Sequence, residues 1–192
     1  MITEEIRNEQ RRDCFIVRNG FWFRFRVAAV ILQDDCVLMA HNVRDSYYYS
    51  VGGAVMLGES AEQAIRREVL EETGIAMEPE RLLFIHENFF PGDNGLQCHE
   101  LAFYYLMTMP GDAVIAASSH SMYGDAEWVE WVPLHTFASL NAYPRFFATH
   151  LVPLPQQPVH IVTREDEPVE GEATAAENAV LGRANSPGPE DI

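Results

Sequence analysis

The segment 60–74, SAEQAIRREVLEETG, constrains the fold more than any other, because it encodes both ends of a helix as well as its buried face. Ser60 with Gln63 three positions later fits a capping box, Ala61, Ala64, Ile65 and Val69 recur at helical spacing, and Gly74 stands where a left-handed residue would end the last turn. A helix over 60–73 follows, with one apolar stripe to bury. The same helix carries Glu68, Glu71 and Glu72 at i, i+3 and i+4, so at about 100° per residue the three carboxylates share roughly one third of its circumference. Like charges so placed repel, and water, arginine partners or a hard divalent cation can each offset them. The spacing alone leaves these three open.

Around this helix the apolar runs are short and rich in β-formers. Residues 24–32 and 36–40 flank the turn Gln33-Asp34-Asp35, residues 81–90 and 100–109 flank the turn-rich PGDNG at 91–95, and 127–132 alternates about Trp128 and Trp131. The two tryptophans, three apart, are expected on opposite faces of their strand. Segments 133–140 and 144–151 each begin with Pro and are predicted to be helical. Strands outnumber helices, without regular βαβ alternation.

The 192 residues, 47% of them hydrophobic, suffice for one domain with a sizeable core. Twenty-nine acids against thirteen bases give a net charge of −16, which argues against an extended nucleic-acid groove or an anionic-membrane surface. All the bases are Arg, so lysine Schiff-base and P-loop chemistry are excluded. Residues 164–192 hold eight acids, two Arg, three Pro and no aromatic residue, and are predicted to form a disordered acidic tail behind a domain at 1–163. Without the tail's −6, the domain still carries −10. Cys14, Cys36 and Cys98 match no disulfide or metal pattern and read as reduced thiols. The N-terminus lacks the apolar core of a signal peptide, and the longest apolar run, 27–32, is too short to span a bilayer. A soluble cytoplasmic protein with no membrane partner is expected.

The wider pattern is Gly53, five residues, Glu59, seven residues, then Arg67-Glu68-Val69-Leu70-Glu71-Glu72-Thr73-Gly74-Ile75. It resembles the Nudix box with every defining position filled, and a looser resemblance runs from RFRVAAVIL to EWVEWVPL, residues 24–135. The resemblance implies a Nudix-type α/β/α sandwich with a mixed, partly antiparallel sheet. It also implies a Mg²⁺- or Mn²⁺-dependent pyrophosphohydrolase that cleaves the phosphoanhydride of a nucleoside diphosphate linked to another moiety. Nucleoside triphosphates, nucleotide sugars or ADP-ribose, and dinucleotides all qualify. By the same resemblance Glu68, Glu71 and Glu72 are metal ligands with help from the Gly53 carbonyl, while Glu59 and Arg67 orient them. Gly52 and Gly53 let the main chain approach a metal or phosphate. A divalent ion reconciles an acidic protein with an anionic substrate.

Outside the box the sequence says less. Glu68 is the first choice of general base, with Asp125, Glu127 and Glu100 as further candidates. Tyr47, Tyr48, Tyr49, Phe89 and Phe90 are candidates either to stack on a nucleobase or to pack internally. Arg24, Arg26 and Arg44 can meet phosphate or pair with acids. His41, His86, His99 and His120 lack ligand spacing, so zinc is not expected, and Ser118-Ser119-His120 comes without the GxSxG elbow of a serine hydrolase. An outward-facing tryptophan and analogy with the family suggest a homodimer. Two alternatives stand beside the enzyme reading: a non-catalytic nucleotide-sensing domain, and an RNA 5′-end pyrophosphohydrolase, against which the charge argues.

Overall fold

Two cores flank the strand β2 (Phe21–Val30), whose alternate side chains enter opposite layers. The computed structural model describes residues 13–42, 46–92, 95–111, 115, 118–120 and 126–165, the side chains of 118–120 and 126 excepted. Ahead of β2 lies β1 (Phe15–Arg18), and after it come β3 (Leu32–Gln33), β4 (Cys36–Asn42), β5 (Tyr48–Ser50) and the helix α1 (Ala61–Thr73). Next are the long strands β6 (Glu78–Pro91) and β7 (Gln97–Thr108), then β8 (Ser118–His120) and β9 (Ala126–Pro133). A 3₁₀ turn (Leu134–Ser139), β10 (Ala142–Tyr143), α2 (Phe147–His150) and β11 (Val159–Arg164) follow.

One sheet runs β1-β2-β7-β6-β11, and the other runs β10-β5-β4-β9-β8 with β3 paired to β4. In the first, β2–β7 and β11–β6 are parallel whereas β1–β2 and β6–β7 are antiparallel, so the sheet is mixed. Val27 and Ala29 of β2, with Ile31 just after it, meet Leu38, Ala40, Val51 and Val55 and the α1 stripe Ala64, Ile65 and Val69. Full burial of a side chain such as Ile65 or Val69 contributes about 1.5–3 kcal/mol, which seats the helix on this layer. Ala28 and Val30 face the other way, toward Phe84, Phe137, Phe146 and Phe147 beneath the 3₁₀ turn and α2. Helical segments therefore cover both faces, as expected of the α/β/α sandwich.

The predicted helix is present with its ends. Ser60 accepts from Gln63 N–H while the Gln63 side chain accepts from Ser60 N–H, and Gly74, at φ 73°, closes the helix on Leu70 O. Asp34 and Asp35, at φ 49° and 61°, make the tight turn between β3 and β4. Trp131 packs into the α1 layer while Trp128, on the opposite face of β9, meets the His41 ring at a tilt of 57°.

Two predicted helices are smaller than expected. Residues 133–140 form only the 3₁₀ turn, where Thr136 Oγ1 donates to Pro133 O and Ser139 Oγ donates to Thr136 O; these short side-chain bonds compete with an α-helical ladder. In 144–151 the α-helix is confined to the four residues of α2, with Pro153 and Pro155 close behind. The edge strand β11 was not expected; it pairs in parallel with β6 through Arg164, one residue beyond the predicted domain boundary. The rest of the acidic tail, 166–192, lies outside the described residues. Among the described residues no helix is long and apolar enough to cross a membrane.

Candidate active site

The segment 51–55 lies along β2: Ala29 N–H donates to Val51 O, Val27 N–H to Gly53 O, and Val55 N–H to Phe25 O. Such close apposition requires glycine at 52, where φ is 136° and a Cβ would sit 2.2 Å from Val27 O. Gly53 serves a different need, since its Cα faces the carboxyl group of Glu68. The Gly53 carbonyl, expected to help hold a metal, accepts from β2.

Arg67 ties this loop to the helix. Its Nη2 donates to Glu59 Oε1 at 2.6 Å and to Ala54 O at 3.1 Å, its Nε to Glu59 Oε2 at 3.3 Å, and its Nη1 to Glu68 Oε1 at 2.5 Å and Glu71 Oε2 at 3.4 Å. Burial opposes the charge on this guanidinium, but the bond to Glu59 and the charge of Glu68 outweigh it and raise its pKa. Glu59 Oε1 also accepts from Met56 N–H, so the chain entering α1 and the helix interior are locked through one arginine.

Glu72 points to the other side of the loop, where its Oε1 accepts from Gly52 N–H at 3.0 Å. Among the described residues its buried Oε2 has no hydrogen-bond partner. Burial first, then the charge of Glu68, push the Glu72 carboxyl up to about 8. Glu127, on β9, adds to this rise, while Arg26 and the Gly52 N–H oppose it. Arg26 Nη2 in turn donates to Ser50 O at 2.7 Å and Gly52 O at 3.1 Å, pinning the loop from the β2 side.

Glu68 is buried at 8% exposure, whereas the Glu71 side chain is about half exposed at 47%. Among the described residues no three Glu, Asp, His or Cys side chains converge closely enough to hold an ion as they stand. Glu68 and Glu71 are instead both paired with Arg67 Nη1. The donor set still suits a hard divalent cation: among the described residues the buried Oε2 of Glu72 has no partner, and the charge of neighbouring Glu68 opposes the ionisation of Glu72, a conflict that a cation would relieve.

The remaining predicted positions separate clearly. Glu127 lies close enough for its charge to raise the Glu72 pKa, whereas Glu100 is buried in an ion pair with Arg24 on the parallel β2–β7 pair. Asp125 and Arg44 lie outside the described residues. Phe89 stacks on His99 with centroids 4.3 Å apart beneath Arg164, and Tyr48 hydroxyl donates to Glu130 at 3.1 Å. His86 is enclosed by Tyr104 and Phe146, in keeping with a structural histidine. Arg26 and Asn42 had no local signal of their present roles, because their partners come from other strands.

The capped glutamate helix, the glycine loop laid on the mixed sheet and the arginine joining the two are the parts that the pattern Gly53–Ile75 encodes. The family model described as NUDIX domain matches residues 22–151, and the chain belongs to the Nudix family as a pyrophosphohydrolase. A MutT protein from Bacillus halodurans shares the fold at TM-score 0.52 and 18% identity, over 71% of this chain and 89% of that one. A Nudix hydrolase from Nitrosomonas europaea matches at TM-score 0.50 and 12% identity, over 74% of this chain and 79% of that one. A MutT Nudix hydrolase from Burkholderia pseudomallei is 28% identical, with TM-score 0.47, over 58% of this chain and 84% of that one.

Proposed function

We propose that the protein hydrolyses the phosphoanhydride of a nucleoside diphosphate linked to another moiety, with Mg²⁺ or Mn²⁺ as cofactor and a small nucleotide-type molecule as substrate. The observation that carries this reading is the unpartnered Oε2 of Glu72 beside Glu68, across from a glycine loop pinned at both its N–H and its C=O. Glu72 and Glu68 would hold the ion, with Glu71 at the solvent edge. When bound, the ion would supply charge neutralisation for the diphosphate and acidify a water.

The protein's own groups do the positioning. Arg67 holds Glu68 and, through Glu59 and Ala54, fixes the distance between helix and loop, which limits reorganisation during the reaction. Arg26 fixes the Gly52 carbonyl while Gly52 N–H orients Glu72. Glu68 serves as ligand in this reading, and Glu127, reaching the same cluster from β9, becomes the acceptor for the proton of the attacking water. The net charge of −16 favours a compact, metal-neutralised substrate over an RNA chain and accords with a cytoplasmic enzyme.

The test is a phosphate-release screen of the purified protein with Mg²⁺ against nucleoside triphosphates, nucleotide sugars, ADP-ribose and dinucleotides, with Glu72→Gln as blank. Turnover of one group above the blank, abolished by EDTA and restored by excess Mg²⁺, is the expected result. Nucleotide binding without turnover by any group would replace the enzyme with the sensing domain.

A further inference from the structure

Tyr49 was expected either to stack on a base or to pack internally, and the structure gives its hydroxyl a different task. Tyr49 Oη donates to Glu127 Oε1 at 2.8 Å, and Asn42 Nδ2 donates to Tyr49 Oη at 3.3 Å. The three residues come from β5, β9 and β4, neighbours in one sheet, with Asn42 and Glu127 directly opposed in the β4–β9 register. Their side of that sheet is the α1 side: Tyr49 packs against the core that holds Ala64, Ile65 and Val69, and α1 packs against β9. Glu127 and Glu72 feel each other's field, since Glu127 raises the pKa of Glu72 and the charge of Glu72 raises that of Tyr49.

The direction of the chain of bonds matters. The Asn42 amide can only donate from Nδ2, so it occupies a lone pair on Tyr49 Oη and leaves the phenol proton for Glu127. Burial first, and then the bond to Glu127, raise the Tyr49 pKa, so the hydroxyl keeps its proton and remains a donor. One oxygen of the Glu127 carboxylate is thereby held on a buried framework.

We infer that Tyr49 is a positioning residue: with Asn42 behind it, it holds the Glu127 carboxylate in the orientation that serves the hydrolytic site. The inference rests on the pyrophosphohydrolase reading and deepens it. Position is the quantity at stake, because a base displaced by about 1 Å costs on the order of a hundredfold in rate, while the binding of substrate elsewhere is untouched.

The experiment is a kinetic cycle of Tyr49→Phe, Glu127→Gln and the double variant, on the full chain with Mg²⁺ and the best substrate of the screen, with melting temperatures recorded for each. Phenylalanine keeps the ring in the core and removes only the hydroxyl. Tyr49→Phe is expected to lower kcat about tenfold with KM within about twofold, and Glu127→Gln about a hundredfold. The double variant should match Glu127→Gln alone, which a merely structural tyrosine would not produce. Equal slowing by Tyr49→Phe in both backgrounds, or wild-type kcat in either single variant, overturns the inference. Should Tyr49→Phe fold poorly, Asn42→Ala tests the same line from its far end by the same cycle. Glu72→Gln separates the two levels: its inactivity beside an unaffected Tyr49→Phe removes only the role of Tyr49, whereas full turnover by Glu72→Gln removes the site itself.

Discussion

The Cα of Gly53 lies against the carboxyl of Glu68, so that a Cβ there would sit 2.6 Å from Cδ and Oε1 and 2.7 Å from Oε2. Glu68 is buried and bonded to Arg67, so a carboxylate pushed aside there is pulled off that bond. Gly53→Ala should therefore displace the carboxylate and lower kcat on the order of a hundredfold while the fold survives, because Gly53 is not in the left-handed region. Gly52→Ala differs: the collision with Val27 O and a φ of 136° should reduce the melting temperature itself. Kinetics and thermal melts of the two variants check the contrast.

Glu72 gives the metal-free protein a pH dependence of defined sign. Its folded pKa of about 8 exceeds the ordinary carboxylate value of 4.5, so the native state binds more protons between those values and loses stability as pH rises through them. Every other titrating group is common to both proteins, so this group should dominate the pH dependence of the difference between wild type and Glu72→Gln. In EDTA the wild type should fall relative to Glu72→Gln between pH 6.5 and 8, and Mg²⁺ should restore it by binding only the folded chain. Denaturant melts across that window, with and without Mg²⁺, test both signs. The same variant should lose about 3–4 kcal/mol of transition-state stabilisation, by analogy with the loss of one electrostatic group.

His86 acts in the opposite direction. Burial lowers its pKa to about 4, with Glu100 only partly opposing, and it is 3% exposed. Thr163 Oγ1 donates to Asn88 Oδ1, so His86 Nε2 donates to Thr163 Oγ1, and the buried Nδ1 has no partner among the described residues. Stability present above pH 6.5 should be lost as pH falls toward 4, by on the order of 3 kcal/mol. His86→Gln should flatten that acid limb in urea titrations between pH 4 and 7.

Truncation after Glu165 should leave turnover unchanged and shift the melting temperature by no more than about 2 °C. Truncation after Thr163 should cost more. It removes the Arg164 guanidinium, 3.8 Å above the Phe89 ring, and the Glu165 N–H that donates to Phe89 O. Thermal melts of the two truncations measure the difference.

The helix 61–73 was legible down to its caps because every signal it needs is local: a capping side chain three residues from its partner, a stripe at helical period, a glycine at the end. Its link to the loop was legible for another reason, since Gly53, Glu59 and Arg67 stand at spacings characteristic of a family. The short helices and β11 were less so, because side-chain bonds and edge pairing overrode weak local preference.

Residue order alone therefore settled the family, the glutamate helix and the acidic character of the site. Tertiary structure decided which charges meet. It paired Arg24 with Glu100 across the parallel β2–β7 register, gave Arg26 to the carbonyls of Ser50 and Gly52, and set Tyr49 between Asn42 and Glu127. A carboxylate's role depends on its depth of burial and its neighbours in space, and those neighbours are supplied by strands far apart in the chain.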